Sequence, residues 1–181
     1  MEKFDKTYIK TNRLIIRNFE KNDYYDLYEY LSDIDTYKYE PGEPITIEIA
    51  KKLCIERSKE NKFLTIELNN KVIGHVYLSQ IKPFEFLTWE IGFIFNKIYQ
   101  RKGYASESLN AIINHSFSNC NVHRIIGQCN PKNVASWKLM ERVGMKREGK
   151  LRRNIYFKKD GKGDPIWLNT YVYGMFEEEI I

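Results

Sequence analysis

The sequence predicts an α/β protein in which one mixed sheet carries helices on both faces, and three observations lead to this fold class. Runs of branched and aromatic residues alternate with helical segments in the order β-α-α-β-β-β-α-β-α-β-β. A strand–helix–strand passage occurs twice in this order, which favours a locally parallel pairing. The 181 residues are 43% hydrophobic, and no repeat or linker divides them, so we expect one domain over residues 1–181.

The first part of the chain indicates one strand and two helices. An apolar run over residues 13–19 suits a strand, and Asn22 can cap a helix over residues 23–31. A break at residues 41–44 precedes a second helix, which begins at Thr46. The tyrosines of the first helix either pack and anchor an interface, which leaves a homodimer open, or form an aromatic wall for an acceptor: Tyr24, Tyr25, Tyr28 and Tyr30.

The remaining elements follow from turn signals and periodicity. Asn69-Asn70 predicts a hairpin between strands at residues 62–68 and 72–79, and a further strand covers residues 86–95. A helix from Gly103 to Phe117 has one apolar stripe, and a helix from Asn133 ends at Gly144. The other predicted strands cover residues 123–129, 145–157 and 165–174.

Composition excludes several classes of protein. No apolar run approaches the roughly 20 residues of a membrane span, and the N-terminal residues do not form a signal peptide. Three cysteines without C-x-x-C spacing predict free thiols in the cytoplasm, with no metal site. The net charge of +5 is spread along the chain, which argues against nucleic acid, although a basic RNA-binding domain is kept as a rival.

The loop Gln100–Ala105 has the form Q/R-x-x-G-x-G/A and lies between a strand and a helix. The start of a helix leaves about four backbone N–H groups without partners and carries a partial positive charge. Gly103 allows close approach of a ligand to the backbone, and Arg101 and Lys102 add positive charge. The loop therefore predicts a pyrophosphate site at this helix terminus.

Several segments, in the same order and at the same spacing, resemble the GNAT acyl-CoA-dependent N-acetyltransferases. They look most like the branch that acetylates N-terminal alanines of ribosomal proteins. The segments cover nearly the whole chain: T-N-R-L-I-I-R at residues 11–17, E-I-G-F at 90–93, the loop at 100–105, N-V-A-S…E-R-V-G-M at 133–145 and E-G-K-L-R at 148–152. The resemblance implies the GNAT fold, a mostly antiparallel sheet with two splayed central strands that bind acyl-CoA.

The resemblance also implies two ligands: acetyl-CoA, the co-substrate, and an amine acceptor that is a protein N-terminus or a small molecule. Different residues should bind different parts of acetyl-CoA. The pantetheine arm should bind at Ile94, Phe95 and Asn96, pairing with the backbone of Ile94 and Asn96. Asn133 should bind the pantetheine, or it caps its own helix, or it does both. The pyrophosphate should bind the remaining residues: Gln100, Arg101, Lys102, Gly103, Tyr104, Ala105 and Ser106.

Two residues are candidates for the chemistry of acetyl transfer to the amine. Glu90 is the candidate base, acting through water as in some relatives; the alternative is a structural ion pair. Ser136 could protonate the departing thiolate, or its hydroxyl could bond to its own helical turn. Met140 stands where several relatives have a tyrosine acid, and Ile155 where the ribosomal branch has a glutamate. These departures leave a catalytically silent acyl-CoA-binding module as the alternative function.

Overall fold

A computed structural model of the protein describes residues 7–180, which form one eight-stranded sheet and four α-helices. The strands are β1 (Tyr8–Lys10), β2 (Ile15–Asn18), β3 (Phe63–Leu68), β4 (Lys71–Gln80), β5 (Thr88–Phe95), β6 (Arg124–Cys129), β7 (Lys146–Ile155) and β8 (Leu168–Met175). The helices are α1 (Tyr24–Leu31), α2 (Ile47–Arg57), α3 (Tyr104–Asn119) and α4 (Val134–Arg142). Within residues 7–180, no helix combines the length and the apolar composition that a membrane span requires.

The strands lie in the order β1-β2-β3-β4-β5-β6-β8-β7, and every neighbouring pair except β5–β6 is antiparallel. The mixed, mostly antiparallel sheet is therefore confirmed. The passage β5–α3–β6 gives the predicted parallel pair. The passage β6–α4–β7 does not, because β8 lies between β6 and β7 and pairs with both.

Helices cover both faces of the sheet, as predicted. Side chains of α3 and α4, among them Leu109 and Leu139, join the larger core cluster with Ile91 of β5. On the other face, Leu27 of α1 joins a smaller cluster, against which Ile94 of β5 packs. Since successive residues of a strand point to opposite faces, β5 contributes its odd-numbered side chains to the α3–α4 face and its even-numbered ones to the α1–α2 face.

Two local predictions are corrected at the N-terminal end of the described chain. A short strand, β1, pairs with β2 and was not predicted, because three residues give too little alternation to detect. Asn22 does not cap α1, since it lies inside a 3-10 turn (Lys21–Asp23) that precedes the helix. The Asp23 carboxylate there accepts two hydrogen bonds from the Arg17 guanidinium, each 2.9 Å long.

The tyrosines of α1 differ in their surroundings, since some are buried and others are exposed. Tyr30 is buried and its hydroxyl lies 2.8 Å from Nδ1 of His75, so the packing interpretation holds for this residue. Burial lowers the pKa of His75 well below its usual value, which keeps the imidazole neutral and gives it a structural role. Tyr25 is 66% exposed and contributes nothing to the core.

Candidate active site

The sheet opens between β5 and β6. These strands pair in parallel register from Thr88 with Arg124 to Ile91 with Gly127. Beyond Ile91, β5 continues for four residues (92–95), while the last residues of β6 pair only with β8 among the described strands. A gap therefore separates the C-terminal ends of the two strands, and one edge of β5 faces it without a strand partner.

Hydrogen bonding to β4 decides which β5 backbone groups face this gap. Asn96 donates its N–H to the carbonyl of Ile73, and the carbonyl of Thr88 accepts from Ile81. In an antiparallel pair, alternate residues direct both backbone groups to the same neighbour, so the even-numbered residues of β5 are committed to β4. The predicted backbone pairing at Ile94 and Asn96 is thus corrected: the groups that face the gap belong to Phe93 and Phe95.

The side chain of Asn96 has a structural role. It is buried, its Oδ1 accepts from the N–H of Ile98 at 3.1 Å, and its Nδ2 donates to Glu29 at 2.8 Å. These bonds shape the 3-10 turn (Lys97–Tyr99) that carries the chain from β5 towards α3. The Gln100 side chain then donates to the Phe95 carbonyl at 3.1 Å, which ties the following loop to the end of β5.

The loop from Gln100 brings the chain into α3 with backbone N–H groups exposed. Gly103 stands at the N-cap position with φ +84°, and no side chain caps the helix. The first intrahelical bond runs from Glu107 to the Gly103 carbonyl. The N–H groups of Tyr104, Ala105 and Ser106 therefore precede the helical hydrogen-bond pattern, as an anion-binding helix terminus requires.

Arg13 holds this loop in place and was not predicted as a site residue. Its Nη1 donates to the Lys102 carbonyl at 3.0 Å, and its Nε bonds to Glu107 at 2.6 Å. A Cβ atom at Gly103 would lie 3.2 Å from Nη2 of Arg13, so the glycine faces this guanidinium. The sequence signal was the segment T-N-R-L-I-I-R at residues 11–17, in which Thr11 also donates to Glu107, at 2.6 Å.

A second unpredicted cation reaches the same helix terminus from α4. Nη1 of Arg142 lies 3.4 Å from the hydroxyl of Ser106, in the first turn of α3. With Arg101 and Lys102 on the loop, the terminus is surrounded by basic side chains from three parts of the chain. This arrangement suits a pyrophosphate better than the loop alone, because dispersed cations match its spread negative charge.

Asn133 and Ser136 come together at the start of α4, beside the end of β6. The Asn133 side chain caps α4 by accepting from the N–H of Ser136 at 3.2 Å, which confirms the capping interpretation. Burial raises the pKa of the Cys129 thiol to about 11, although hydrogen bonding to Ser136 opposes this. Ser136 therefore lies near Cys129, the last residue of β6.

Met140 of α4 and Ile155 of β7 are the two positions at which the sequence departs from the family pattern, and the structure shows their surroundings. Met140 is 1% exposed and would lie 2.7 Å from a Cβ atom at Gly127, so it fills the core and supplies no proton donor. Trp137 lies half-buried, and among the described residues its indole N–H has no hydrogen-bond partner. Ile155 is exposed near the end of β7.

Glu90 lies on the opposite face of the sheet from Cys129. Its side chain belongs to the even-numbered set of β5, one position before the strands separate. Burial raises its pKa above the usual glutamate value. No lysine or arginine within residues 7–180 forms an ion pair with it, and its polar neighbour is Nε2 of Gln128 at 3.5 Å. The ion-pair alternative for Glu90 therefore finds no support in the described residues.

A shallow cavity of about 300 Å³ lies on the same face as Glu90, displaced towards the start of β5. Thr88 and Ile126 line it, and both flank Glu90 in the sheet, since Thr88 precedes it by two residues and Ile126 is its register partner. The opposite wall is the loop at Pro83 and Phe86. Neither Glu90 nor residues 92–95 of β5 line this cavity, so it does not overlap the gap.

Three groups of the predicted site residues lie around the C-terminal end of β5. The loop and helix residues 100–106 lie beyond the end of β5, Ser136 lies on the α3–α4 face, and Glu90 lies on the α1–α2 face. Residues that sequence reasoning missed, Arg13 and Arg142, support the loop from its two sides.

Comparison with known proteins agrees with this geometry. Residues 13–146 match the sequence model of a family described as an acetyltransferase (GNAT) domain. A relative from Bacillus subtilis, the uncharacterized N-acetyltransferase YnaD, is 41% identical over 175 residues, which cover 95% of this chain and 98% of the relative.

Two solved structures resemble the fold over nearly its whole length. A GNAT-family acetyltransferase from Bacillus anthracis has a TM-score of 0.86 at 35% identity, covering 96% of this chain and 100% of that chain. The ribosomal-protein-S5-alanine acetyltransferase from Vibrio fischeri has a TM-score of 0.79, covering 97% and 99%. At 22% identity, this second likeness shows a shared fold and not a shared acceptor.

Proposed function

The chain belongs to the GNAT acetyltransferase family, and we propose that it transfers the acetyl group of acetyl-CoA to a primary amine. The proposal depends chiefly on the open edge of β5, which leads directly to the uncapped start of α3. An extended amide chain can pair with the Phe93 and Phe95 backbone, as a peptide adds to a sheet edge. Its pyrophosphate then meets the N–H groups of Tyr104, Ala105 and Ser106.

Residues on the two faces of the sheet would carry out different steps of acetyl transfer. When bound, acetyl-CoA supplies an acetyl group activated as a thioester. Glu90, on the α1–α2 face, takes a proton from the acceptor nitrogen through water as the new C–N bond forms. Ser136, on the α3–α4 face, donates a hydrogen bond to the sulfur that leaves when the C–S bond breaks. A backbone N–H group at the gap would bind the carbonyl oxygen of the acetyl group.

The free energy needed to deprotonate the acceptor's ammonium group bears on which class of amine the protein uses. An α-amine with a pKa of about 8 costs roughly 1.4 kcal/mol to neutralise at pH 7, whereas a lysine near 10.4 costs about 4.6 kcal/mol. A glutamate that acts through water suits the smaller cost. We therefore favour an acceptor of low pKa, either a protein N-terminus or a small-molecule amine. Reaction in the cytoplasm agrees with the free thiols of Cys54, Cys120 and Cys129. A homodimer stays a prediction.

The proposed function is tested by thiol release from acetyl-CoA with a panel of primary amines, including alanine-initiated peptides and aliphatic amines. We expect at least one amine to increase thiol release above the rate with water alone. Raised melting temperature with CoA but no release with any amine would favour the silent acyl-CoA-binding module. Affinity for RNA that falls steeply with salt and ignores CoA would favour the RNA-binding rival.

Ser136→Ala is expected to lower kcat by about 10- to 100-fold with little change in KM, because its hydroxyl acts only as the thiolate leaves. A CoA thiol has a pKa near 8.5, so it leaves tolerably well without a donor, and this limits the loss. The matched control is Ser58→Ala, since the Ser58 hydroxyl donates to the Ile55 carbonyl of its own helix. A wild-type kcat for Ser136→Ala, with chemistry shown to be rate-limiting, would assign Ser136 a structural role.

A further inference from the structure

Arg147 of β7 makes a closed set of hydrogen bonds with α4 and β8. Its Nε donates to the hydroxyl of Tyr173 at 2.8 Å, and its Nη2 donates to Oε1 of Glu141, also at 2.8 Å. The Tyr173 hydroxyl in turn donates to the same Glu141 oxygen at 2.9 Å. A side chain of α4 is thereby tied to two strands at once, and we call these three residues the α4 clamp.

The Arg147 guanidinium also lies against aromatic rings on both sides of this junction. It stands 4.1 Å from the ring centre of Tyr171 on β8 and 5.4 Å from that of Trp137 on α4. Because a guanidinium can stack on aromatic faces while its planar fork makes hydrogen bonds, one arginine can fix both the distance and the rotation of a helix relative to a strand. Trp137 and Glu141 are four residues apart, so both lie on the side of α4 that faces Arg147.

A neighbouring side of α4 faces β6. A Cβ atom at Gly127 would lie 2.7 Å from Sδ of Met140, so the helix packs closely on this strand. Ser136 precedes Met140 by one helical turn and lies on the same side of α4. Since the connection from β6 is short (residues 130–133), α4 runs back along the strand, and its first turn lies near the C-terminal end of β6. Ser136 is thereby held close to Cys129, where β6 borders the gap.

Stability alone gives a poor account of the α4 clamp. The side chains of Arg147 and Glu141 are 37% and 42% exposed, and exposed ion pairs contribute little to folding. The buried Tyr173 hydroxyl would be satisfied by one partner, yet it has two. The arrangement does fix the rotation of α4, because turning the helix about its axis would break the contacts of Trp137 and Glu141 together. The same rotation would move the Ser136 hydroxyl relative to the gap.

We propose that Arg147 is a positioning residue for acetyl transfer, which sets the rotation of α4 through Glu141 and Tyr173 and so places the Ser136 hydroxyl against the departing sulfur. The inference rests on the proposed function and adds to it a residue that acts only through Ser136. A misplacement of about 1 Å can cost roughly 100-fold in rate. Because the effect is transmitted by Ser136, the loss on removing Arg147 should not exceed the loss in Ser136→Ala.

The test compares Arg147→Met with Lys146→Met, a substitution of the same kind at the preceding residue. Lys146 also pairs with a carboxylate, Glu179 at 2.6 Å, but its side chain points to the opposite face of β7. The readout is thiol release from acetyl-CoA with the best amine of the panel. We expect Arg147→Met to lower kcat by about 5- to 50-fold, with unchanged KM for the amine and unchanged affinity for CoA. Lys146→Met should match the wild type.

A double-mutant cycle separates positioning from a general structural effect. In the Ser136→Ala background, Arg147→Met should lower kcat by less than about 2-fold, because the group that it positions is already absent. Tyr173→Phe removes one hydroxyl from the α4 clamp and keeps the aromatic ring in the core. It should lower kcat in the same Ser136-dependent way, and it provides the test if Arg147→Met does not fold.

Several results would overturn the inference. Full additivity of the two losses in the double variant, or a wild-type kcat in Ser136→Ala beside a reduced one in Arg147→Met, would show that Arg147 does not act through Ser136. A wild-type kcat in folded Arg147→Met or in Tyr173→Phe would leave the α4 clamp a structural contact. Each of these results leaves the proposed function intact. If the wild-type protein releases no thiol with any amine, the proposed function falls and the Arg147 inference falls with it.

Discussion

Gly103→Val is expected to abolish the rise in melting temperature that CoA produces in the wild-type protein. CoA at 100 times its Kd would stabilise a protein that binds it only when folded by about 2.7 kcal/mol. For a chain of this size, that corresponds to roughly 5–10 °C. A branched side chain at the N-cap of α3 would occupy the space where the pyrophosphate must approach the N–H groups of Tyr104 and Ala105.

A matched control separates lost binding from backbone strain. Gly163 has φ +88°, close to the +84° of Gly103, and a Cβ atom there would meet nothing within 4 Å. Gly163→Val therefore introduces a comparable strain in an exposed loop, away from the gap. We expect Gly163→Val to lower the melting temperature without CoA and to keep the full shift with CoA. An undiminished CoA shift in a folded Gly103→Val protein would show that the phosphate-loop assignment is wrong.

Glu90→Gln is expected to lower kcat by about 10²-fold or more near neutral pH, because the amide keeps the size of the side chain and removes its basicity. CoA affinity should change little, since Glu90 faces away from the loop at residues 100–106. Burial raises the pKa of Glu90, so the carboxylate is a better proton acceptor than an exposed glutamate while it stays ionised. Steady-state kinetics with the best amine of the panel measures the loss.

The pH dependence of kcat tests the role of Glu90 more directly than a single rate measured near neutral pH. The loss in Glu90→Gln should shrink as pH approaches the pKa of the acceptor, because more amine then arrives already neutral. The lower limb of the wild-type profile should lie above the usual glutamate range, in the direction of the raised pKa. Glu60→Gln, at an exposed position just after α2, is the control and should follow the wild type. An unchanged lower limb in Glu90→Gln would exclude Glu90 from the mechanism.

Much of this fold could be predicted because its signals are local. Asn69 and Asn70 both adopt positive φ in the hairpin turn, as an Asn-Asn turn between two alternating runs indicates. Thr46 caps α2 and Asn133 caps α4, each through a side-chain oxygen of the expected type. Gly103 also has the positive φ that its place before α3 suggested. Each of these features depends on residues within one turn of one another.

The order of the sheet could not be read from the sequence. β8 lies between β6 and β7, so the second strand–helix–strand passage produces no direct pair. Which strand occupies that place depends on contacts between segments 42 to 50 residues apart in the chain, and no local pattern encodes them. The separation of β5 from β6, on which the candidate site depends, has the same origin.

The sequence by itself indicated the family, and it predicted the site loop at residues 100–106 and the candidate roles of Glu90 and Ser136. The tertiary structure decided that Phe93 and Phe95, and not Ile94 and Asn96, direct backbone groups to the gap, because pairing with β4 fixes the parity of β5.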